Sequence, residues 1–137
     1  MFGACGGEDL DLFLRLARRG RRFAWCAEAG VRETVPAGRM QLGYQRLRAY
    51  SGAQVYAAAT VKNAASRPRA MADVVARGLV QTLVFAPAWL VLGGAAFAGV
   101  AGARAAARRM AFKAMAGWGK VTWWRRVRLY HIEAPPG

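Results

Sequence analysis

The chain has 137 residues, enough for one domain or part of one. Its 21 Lys and Arg against 7 Asp and Glu give a formal net charge of +14, so we expect an anionic partner: nucleic acid, a membrane surface or a phosphate-bearing ligand. Two cysteines without a CxxC pair and a single histidine argue against a metal site and indicate reduced thiols.

The charge is distributed in three blocks. Residues 1–77 hold 13 basic and 6 acidic residues, and residues 104–137 hold 8 and 1, so each block has a balance of +7. Residues 78–103 carry no charge. This distribution is unlike that of a nucleic-acid-binding domain, whose cations share one folded face. It is typical of an uncharged membrane segment with cationic flanks.

An amphipathic helix is predicted over residues 8–19. Leu10, Phe13, Leu14 and Ala17 recur at the i, i+3, i+4, i+7 spacing of one helix face. Basic residues occupy the last turn, and a glycine follows where a left-handed cap residue belongs. The start and stop signals of this helix therefore agree.

Three of the seven acidic residues, Glu8, Asp9 and Asp11, lie in the first turn of this helix. Carboxylates at that position complement the helix dipole by about 0.3–1 kcal/mol each, and spacing alone favours this structural role. Neighbouring carboxylates also repel one another, so the dipole explains one or two of them better than all three. The functional hypothesis is that a carboxylate at this junction acts as a general base.

Residues 21–36, RRFAWCAEAGVRETVP, alternate weakly between apolar and polar side chains. Phe23 and Trp25 fall on one side, and Val31 begins a second alternating run. The pattern predicts two short strands or extended pieces that end at Pro36.

A second helix is predicted from Arg39 to about Lys62. Its apolar stripe is interrupted by Ser51 and consists of Met40, Tyr44, Leu47, Val55 and Ala58. Residues 63–68, NAASRP, form the best linker candidate, because small and polar residues lead into a proline. The sequence therefore divides into residues 1–66 and residues 67–137.

Residues 79–103 form an uncharged stretch of 25 residues. As a helix it would be about 37 Å long, enough to cross a hydrocarbon layer of about 30 Å. Pro87 could kink such a helix, and Gly93-Gly94 could turn it. Both flanks are basic, whereas Lys and Arg concentrate on the cytoplasmic side of membranes. A single span and a hairpin or interfacial arrangement therefore stay equally open.

The end of the chain interleaves cations with aromatic rings, namely Trp118, Trp123, Trp124 and Tyr130. Rings at the headgroup level with cations beside them are typical of an interfacial helix. Aromatic and basic residues also alternate in binders of single-stranded nucleic acid. The position of this tail after the apolar stretch favours the membrane.

Three runs in fixed order, GGEDLDLFLRLARRG, WCAEAGVRETVPAGR and YQRLRAYSG, resemble the C-terminal part of the catalytic domain of family 2 glycosyltransferases. The likeness is to membrane-associated bacterial enzymes of exopolysaccharide and envelope-glycan synthesis, and it covers about residues 2–62. It implies an α/β fold. Residues 1–66 would be the C-terminal part of an A-type glycosyltransferase domain, with helix, short strands and helix, and residues 67–137 would be an apolar and amphipathic helical membrane tail.

The resemblance also implies catalytic residues. Glu8-Asp9 matches the family's ED motif, so Asp9 is expected to deprotonate the acceptor hydroxyl in an inverting transfer from a nucleotide sugar. Glu8 and Asp11 would orient this base or bind acceptor hydroxyls, with Asp11 expected at the acceptor.

Diphosphate-binding residues are implied on the second helix. Gln45 and Arg48 form a QxxR arrangement similar to the family's QxxRW motif, in which Ala49 replaces the tryptophan. Arg39 and Arg46 are alternatives, since a guanidinium binds phosphate oxygens in bidentate fashion. Cations on a solvated helix face are the structural explanation of the same residues.

The partners that the resemblance implies are a nucleotide-sugar donor, a lipid-linked or glycan acceptor and the cytoplasmic face of the bacterial inner membrane, with no nucleic acid. A divalent metal, Mg or Mn, is expected for the complete enzyme, but its DxD-type ligands precede the ED motif in the family and are absent from this sequence. We therefore expect a C-terminal remnant that is inactive alone. The alternative is a basic membrane-binding module without catalysis.

Overall fold

The computed structural model describes residues 7–125. Residues 1–6 and 126–137, with Cys5, Tyr130 and His131, lie outside the described residues. Within the described part the chain forms five helices, which are α1 (Glu8–Arg18), α2 (Ala37–Met40), α3 (Leu42–Asn63), α4 (Arg67–Phe97) and α5 (Ala103–Val121).

The prediction of an α/β fold with short strands is wrong, because residues 7–125 form helices, turns and extended chain but no strand. The segment expected to form strands, residues 21–36, is exposed, and Trp25 is 94% exposed. A strand must pair its N–H and C=O groups with an adjacent strand. No such partner exists in the described part, so the alternating side chains have no sheet face to bury.

The predicted first helix is confirmed as α1. Its start follows Gly7, which has a left-handed φ of 96°, and Gly20 after its end has a φ of 68°. Leu10 and Leu14 pack against a buried cluster of α3, which consists of Val55, Ala58 and Ala59. Two of the four residues of the predicted apolar face therefore attach α1 to α3, whereas Phe13 and Ala17 are exposed.

The predicted second helix is confirmed over most of its length, but it begins later than expected. Gln41 has an extended backbone (φ −67°, ψ 141°) and separates the short α2 from α3. α3 ends at Asn63, and Pro68 lies in the first turn of α4, where a missing N–H costs no helical hydrogen bond. The predicted linker is thus reduced to residues 64–66. Because α3 packs on α5, the two parts of the chain that this linker was expected to separate are in contact.

α4 and α5 form an antiparallel hairpin with close backbone contact. Neither Pro87 nor Gly93-Gly94 interrupts α4, and the turn comes later, at residues 98–102. Where the helices cross, a Cβ on Gly117 would lie 2.6 Å from Thr82 Oγ1 and 2.9 Å from the carbonyl oxygen of Gly78. Small residues at this crossing allow the two backbones to touch, as in many membrane helix pairs.

α5 lies between α3 and α4, since it packs extensively on both while α3 and α4 touch over a short region. A Cβ on Gly119 would collide with the carbonyl oxygen of Tyr50, so α3 also approaches α5 closely. The fully buried Gln54 donates from Nε2 to the carbonyl oxygens of Thr122 (3.0 Å) and Arg125. These bonds attach α3 to the turn that follows α5, residues 122–125.

Candidate functional site

The two acidic residues that match the ED motif, Glu8 and Asp9, lie at the N-terminal end of α1. Glu8 and Asp9 are exposed in the first turn, directly after the left-handed Gly7. Asp9 Oδ1 accepts a hydrogen bond from the backbone N–H of Leu10 at 2.7 Å. Both carboxylates therefore lie in the positive field of the helix N-terminus and face solvent.

Asp11, expected at the acceptor, is buried and forms part of the fold. It is 4% exposed, and its Oδ2 lies 2.8 Å from Lys62 Nζ. Its Oδ1 accepts from Asn63 Nδ2 at 2.7 Å, and Arg15 Nε lies 3.4 Å from Oδ2. These contacts join α1 to the last turn of α3, so they account for the third carboxylate without a ligand.

The surroundings of Asp11 favour its charged form. Hydrogen bonds from Lys62 and then Asn63 lower the pKa of its carboxyl below the usual value of 3.8, and the charges of Lys62 and Arg15 act in the same direction. Burial opposes them by penalising the charge, and the donors outweigh it. Asp11 is therefore ionised at neutral pH and cannot act as a proton donor there.

The diphosphate candidates lie at the other end of α3. Gln45, Arg46 and Arg48 belong to its first two turns, and Arg48 is exposed. Gln45 Nε2 donates to the Met40 carbonyl oxygen at 3.1 Å, which links α3 to α2. Arg39 in α2 lies with its Nη1 3.7 Å from Glu33 Oε1.

The structure does not bring the acidic cluster and the QxxR residues together. Asp11 contacts Asn63, and Gln45 lies 18 residues earlier on the same helix, about 27 Å away at ~1.5 Å per residue. A ligand contacting both groups would have to extend along much of α3. The roles of Asp9, Gln45 and Arg48 in sugar transfer stay predictions.

A basic cleft that the sequence did not single out lies at the C-terminal end of α1. It has a volume of about 280 Å³ and is lined by Arg15, Arg18, Arg19 and Asn63. Guanidinium groups suit phosphate or carboxylate ligands. The only feature of the sequence that could have indicated this cleft is the group of cations in the last turn of α1, and cations at that position are also explained by the helix dipole.

The carboxylates of α1 do not form a site for the divalent metal that the resemblance implies. Within residues 7–125 no three His, Cys, Asp or Glu side chains are grouped so that they could hold a metal ion. Asp11 is directed at Lys62 and Asn63, which leaves only Glu8 and Asp9 facing solvent. We therefore assign no metal-dependent step to this site.

An extended apolar surface without a partner among the described residues lies on α4. This helix is long and apolar enough to cross a membrane: an 18-residue window has a mean hydropathy of 1.7, and 6% of that window is buried. We define its apolar face by seven exposed side chains, which are Leu79, Val80, Leu83, Val84, Leu90, Val91 and Phe97.

Comparison of the chain with known protein families, with curated proteins and with solved structures finds no match.

Proposed function

We propose that this chain takes part in sugar transfer at a membrane surface, with Asp9 as the general base and the α4–α5 hairpin as the membrane-associated part. The proposal unites the resemblance of residues 2–62 to family 2 glycosyltransferases with the exposed apolar face of α4. It does not include the A-type α/β fold, since the described residues contain no strand.

The observation that carries the proposal is the division of roles among the three clustered carboxylates. Asp11 is held by Lys62 and Asn63, so the fold explains its presence. Glu8 and Asp9 are exposed, and these are the two residues that match the ED motif. The helix dipole can account for one or two carboxylates at this position, so the catalytic role is supported by the exposure of Glu8 and Asp9 together with their match to the motif.

The proposed chemistry needs a carboxylate that can reach an acceptor hydroxyl. Asp9 would accept the hydroxyl proton while that oxygen attacks the anomeric carbon of the donor and the nucleoside diphosphate leaves. Positioned proton transfer contributes typically about 10²- to 10⁴-fold in rate. Glu8, one residue earlier, would orient the base or bind the acceptor.

Membrane association supports a lipid-linked acceptor. Among residues 7–125 most of α4 is uncovered, because α5 packs along one of its sides and α3 touches it only over a short region. The cationic blocks on both sides of residues 78–103 suit the anionic cytoplasmic leaflet. Sugar transfer to a lipid-linked or glycan acceptor would take place at that surface.

The test is the Asp9→Asn variant of the longest in-frame product of the gene, assayed in membranes with radiolabelled UDP- and GDP-sugars. Asparagine keeps a polar side chain in the first turn, so the helix is retained while the base is lost. We expect kcat to fall by about 10²- to 10⁴-fold with donor affinity nearly unchanged. Asp73→Asn is the matched control, since Asp73 is an exposed carboxylate on α4 paired only with Arg77 in the described contacts.

Transfer at an unchanged rate by the Asp9→Asn variant would remove Asp9 from the proposed role. Equal losses in the Asp9 and Asp73 variants would indicate a general effect of charge.

A membrane-binding module without catalysis is the second candidate function. The exposed apolar face of α4 supports it independently of the acidic residues. On this hypothesis the Asp9→Asn variant would bind vesicles like the original chain and no nucleotide sugar would be consumed. Sugar transfer that depends on Asp9 would exclude it.

A further inference from the structure

The apolar face of α4 and the cations of α5 lie at the same level of the hairpin. Gln81 Nε2 donates to the Lys113 carbonyl oxygen at 2.8 Å, and Lys113 Nζ lies 4.7 Å from the centre of the Phe85 ring. Since the two helices run antiparallel, each step forward on α4 corresponds to a step back on α5. Arg108 and Arg109 therefore lie at about the level of Pro87.

The cations of α5 are accessible. Arg104, Arg108, Arg109 and Lys113 are exposed, whereas the residues of α5 that meet its neighbours are small: Ala103, Ala107, Ala111, Ala114, Gly117 and Gly119. By helix periodicity Arg104 and Arg108 project to one side of the buried face of α5, and Arg109 and Lys113 project to the other. They can extend sideways from the hairpin.

This geometry opposes a vertical orientation of the hairpin. If α4 crossed the bilayer, α5 would follow it, and four exposed cations would enter the hydrocarbon layer. Cations at that depth are strongly unfavourable and are normally paired or face a polar interior. The described residues of α5 carry no acidic side chain to neutralise them.

An orientation parallel to the membrane places the apolar face of α4 in an apolar environment and keeps the cations of α5 in a polar one. α4 is the outermost layer, with α5 behind it and α3 behind α5. Packed helix axes are about 8–10 Å apart, and interfacial helices bury their apolar faces about 5–10 Å below the headgroup boundary. With α4 in the acyl-chain boundary, α5 would lie near the phosphates, which its Arg and Lys side chains can reach.

We propose that the α4–α5 hairpin lies in the plane of an anionic lipid bilayer, with the apolar face of α4 against the acyl chains and Arg104, Arg108, Arg109 and Lys113 at the lipid phosphates. The inference rests on the membrane association proposed above and adds an orientation and a class of lipid. Charge complementarity identifies the bilayer as the occupant of this face.

The experiment measures depth along α4 in vesicles of equal parts phosphatidylglycerol and phosphatidylcholine. Both native cysteines are replaced by serine in the full chain, and single fluorescent labels are placed by Leu79→Cys, Leu90→Cys or Phe97→Cys. The first and last sites are 18 residues apart, about 27 Å along the helix. Quenching by lipids with nitroxides at known depths gives the position of each label, and circular dichroism confirms that each variant is folded.

We expect the three labels to lie at one shallow depth. An Ala105→Cys label on α5 should be quenched nearer to the headgroups. A depth that changes steadily from Leu79 through the bilayer centre to Phe97 would overturn the orientation while leaving membrane association intact.

The lipid class is tested by titration of the same vesicles with the Arg108→Gln/Arg109→Gln variant. Each cation near an anionic surface contributes about fivefold to binding, so we expect the partition coefficient to fall about 30-fold. The control pair, Arg21→Gln/Arg22→Gln, changes two exposed arginines before α2 and should have a much smaller effect. Equal losses from both pairs would contradict the proposed phosphate contacts. Failure of the original chain to bind vesicles, including the case in which a second copy covers α4, would overturn both the orientation and the membrane association.

Discussion

Lys62 Nζ lies 2.8 Å from Asp11 Oδ2, which joins the first turn of α1 to the last turn of α3 across 51 positions of sequence. Asn63 binds the other carboxylate oxygen. We expect Asp11→Ala to lower the free energy of unfolding by about 1–3 kcal/mol, because the buried Asn63 amide loses an acceptor. Lys62 is 38% exposed on its side chain, so water can solvate its charge and limit the loss. Thermal unfolding in mild detergent, followed by circular dichroism, measures the difference.

The control for this prediction is Asp73→Ala. Asp73 and Arg77 form an exposed pair four residues apart, with Asp73 53% and Arg77 69% exposed. Such pairs contribute about 0.3–0.5 kcal/mol. A loss of stability in the Asp11 variant no larger than in the Asp73 variant would contradict the structural role of Asp11.

The contribution of Asp11 should depend on pH in the acidic range. Its pKa is lowered in the folded protein, so the unfolded chain binds the proton more tightly and acid favours unfolding. The stabilisation is fully present above the usual pKa of 3.8 and is lost as the pH falls through the lower pKa of the folded state. We expect the stability difference between the original chain and Asp11→Asn to be constant from pH 7 to about 5 and to shrink below pH 4. An equal difference at pH 7 and pH 2.5 would contradict this assignment.

The α4–α5 crossing predicts a strong effect of one methyl group. Gly117→Ala would place a Cβ 2.6 Å from Thr82 Oγ1 and 2.9 Å from the Gly78 carbonyl oxygen, so the helices must separate. We expect a loss of about 1–3 kcal/mol, measured by thermal unfolding. Gly94→Ala is the matched control, because no atom lies within 4 Å of the added Cβ and alanine favours the helix by about 0.5–1 kcal/mol. Equal effects of the two substitutions would show that the crossing is not close.

The buried Gln54 should hold the C-terminal end of α5. Gln54→Leu replaces the amide by an apolar side chain of similar size and so removes the donor to the carbonyl oxygens of Thr122 and Arg125. We expect a loss of about 1–3 kcal/mol and faster amide hydrogen exchange in the last turn of α5. Gln41→Leu changes an exposed glutamine that makes no side-chain cap bond at the start of α3, and it should leave this exchange unchanged. Unchanged exchange in the Gln54 variant would argue against its role at this helix end.

The sequence was most informative where the relevant contacts are local. The i, i+4 spacing correctly placed Leu10 and Leu14 on the packed face of α1, although Phe13 and Ala17 of the same pattern are exposed, and the uncharged stretch correctly indicated a long apolar helix. The strands were predicted from the alternation of apolar and polar side chains around Phe23 and Trp25, but alternation alone does not form a strand. A strand also needs a neighbouring edge, and that depends on segments far away in the chain.

The burial of Asp11 could not be predicted, since its partners lie 51 and 52 residues away. The three acidic residues look alike in sequence, and only the position of α3 separates Asp11 from Glu8 and Asp9. The contact between Gly78 and Gly117 could not be predicted either, because a glycine within a helical pattern does not indicate which helix will pack against it. The resemblance to glycosyltransferases suggested roles for Asp11 and Gln45, but not that Asp11 would contact the end of α3 opposite to Gln45.

The order of the helices along the chain has a consequence for biosynthesis. α5, which covers one side of α4, is translated after it, and 24 residues separate the end of α4 from the end of α5. At about 5–20 residues per second, the ribosome needs about 1–5 seconds to complete this stretch. During that interval the nascent α4 lacks its main packing partner and can contact only the short region of α3 that it touches in the folded chain, so most of its apolar surface is exposed until α5 is complete.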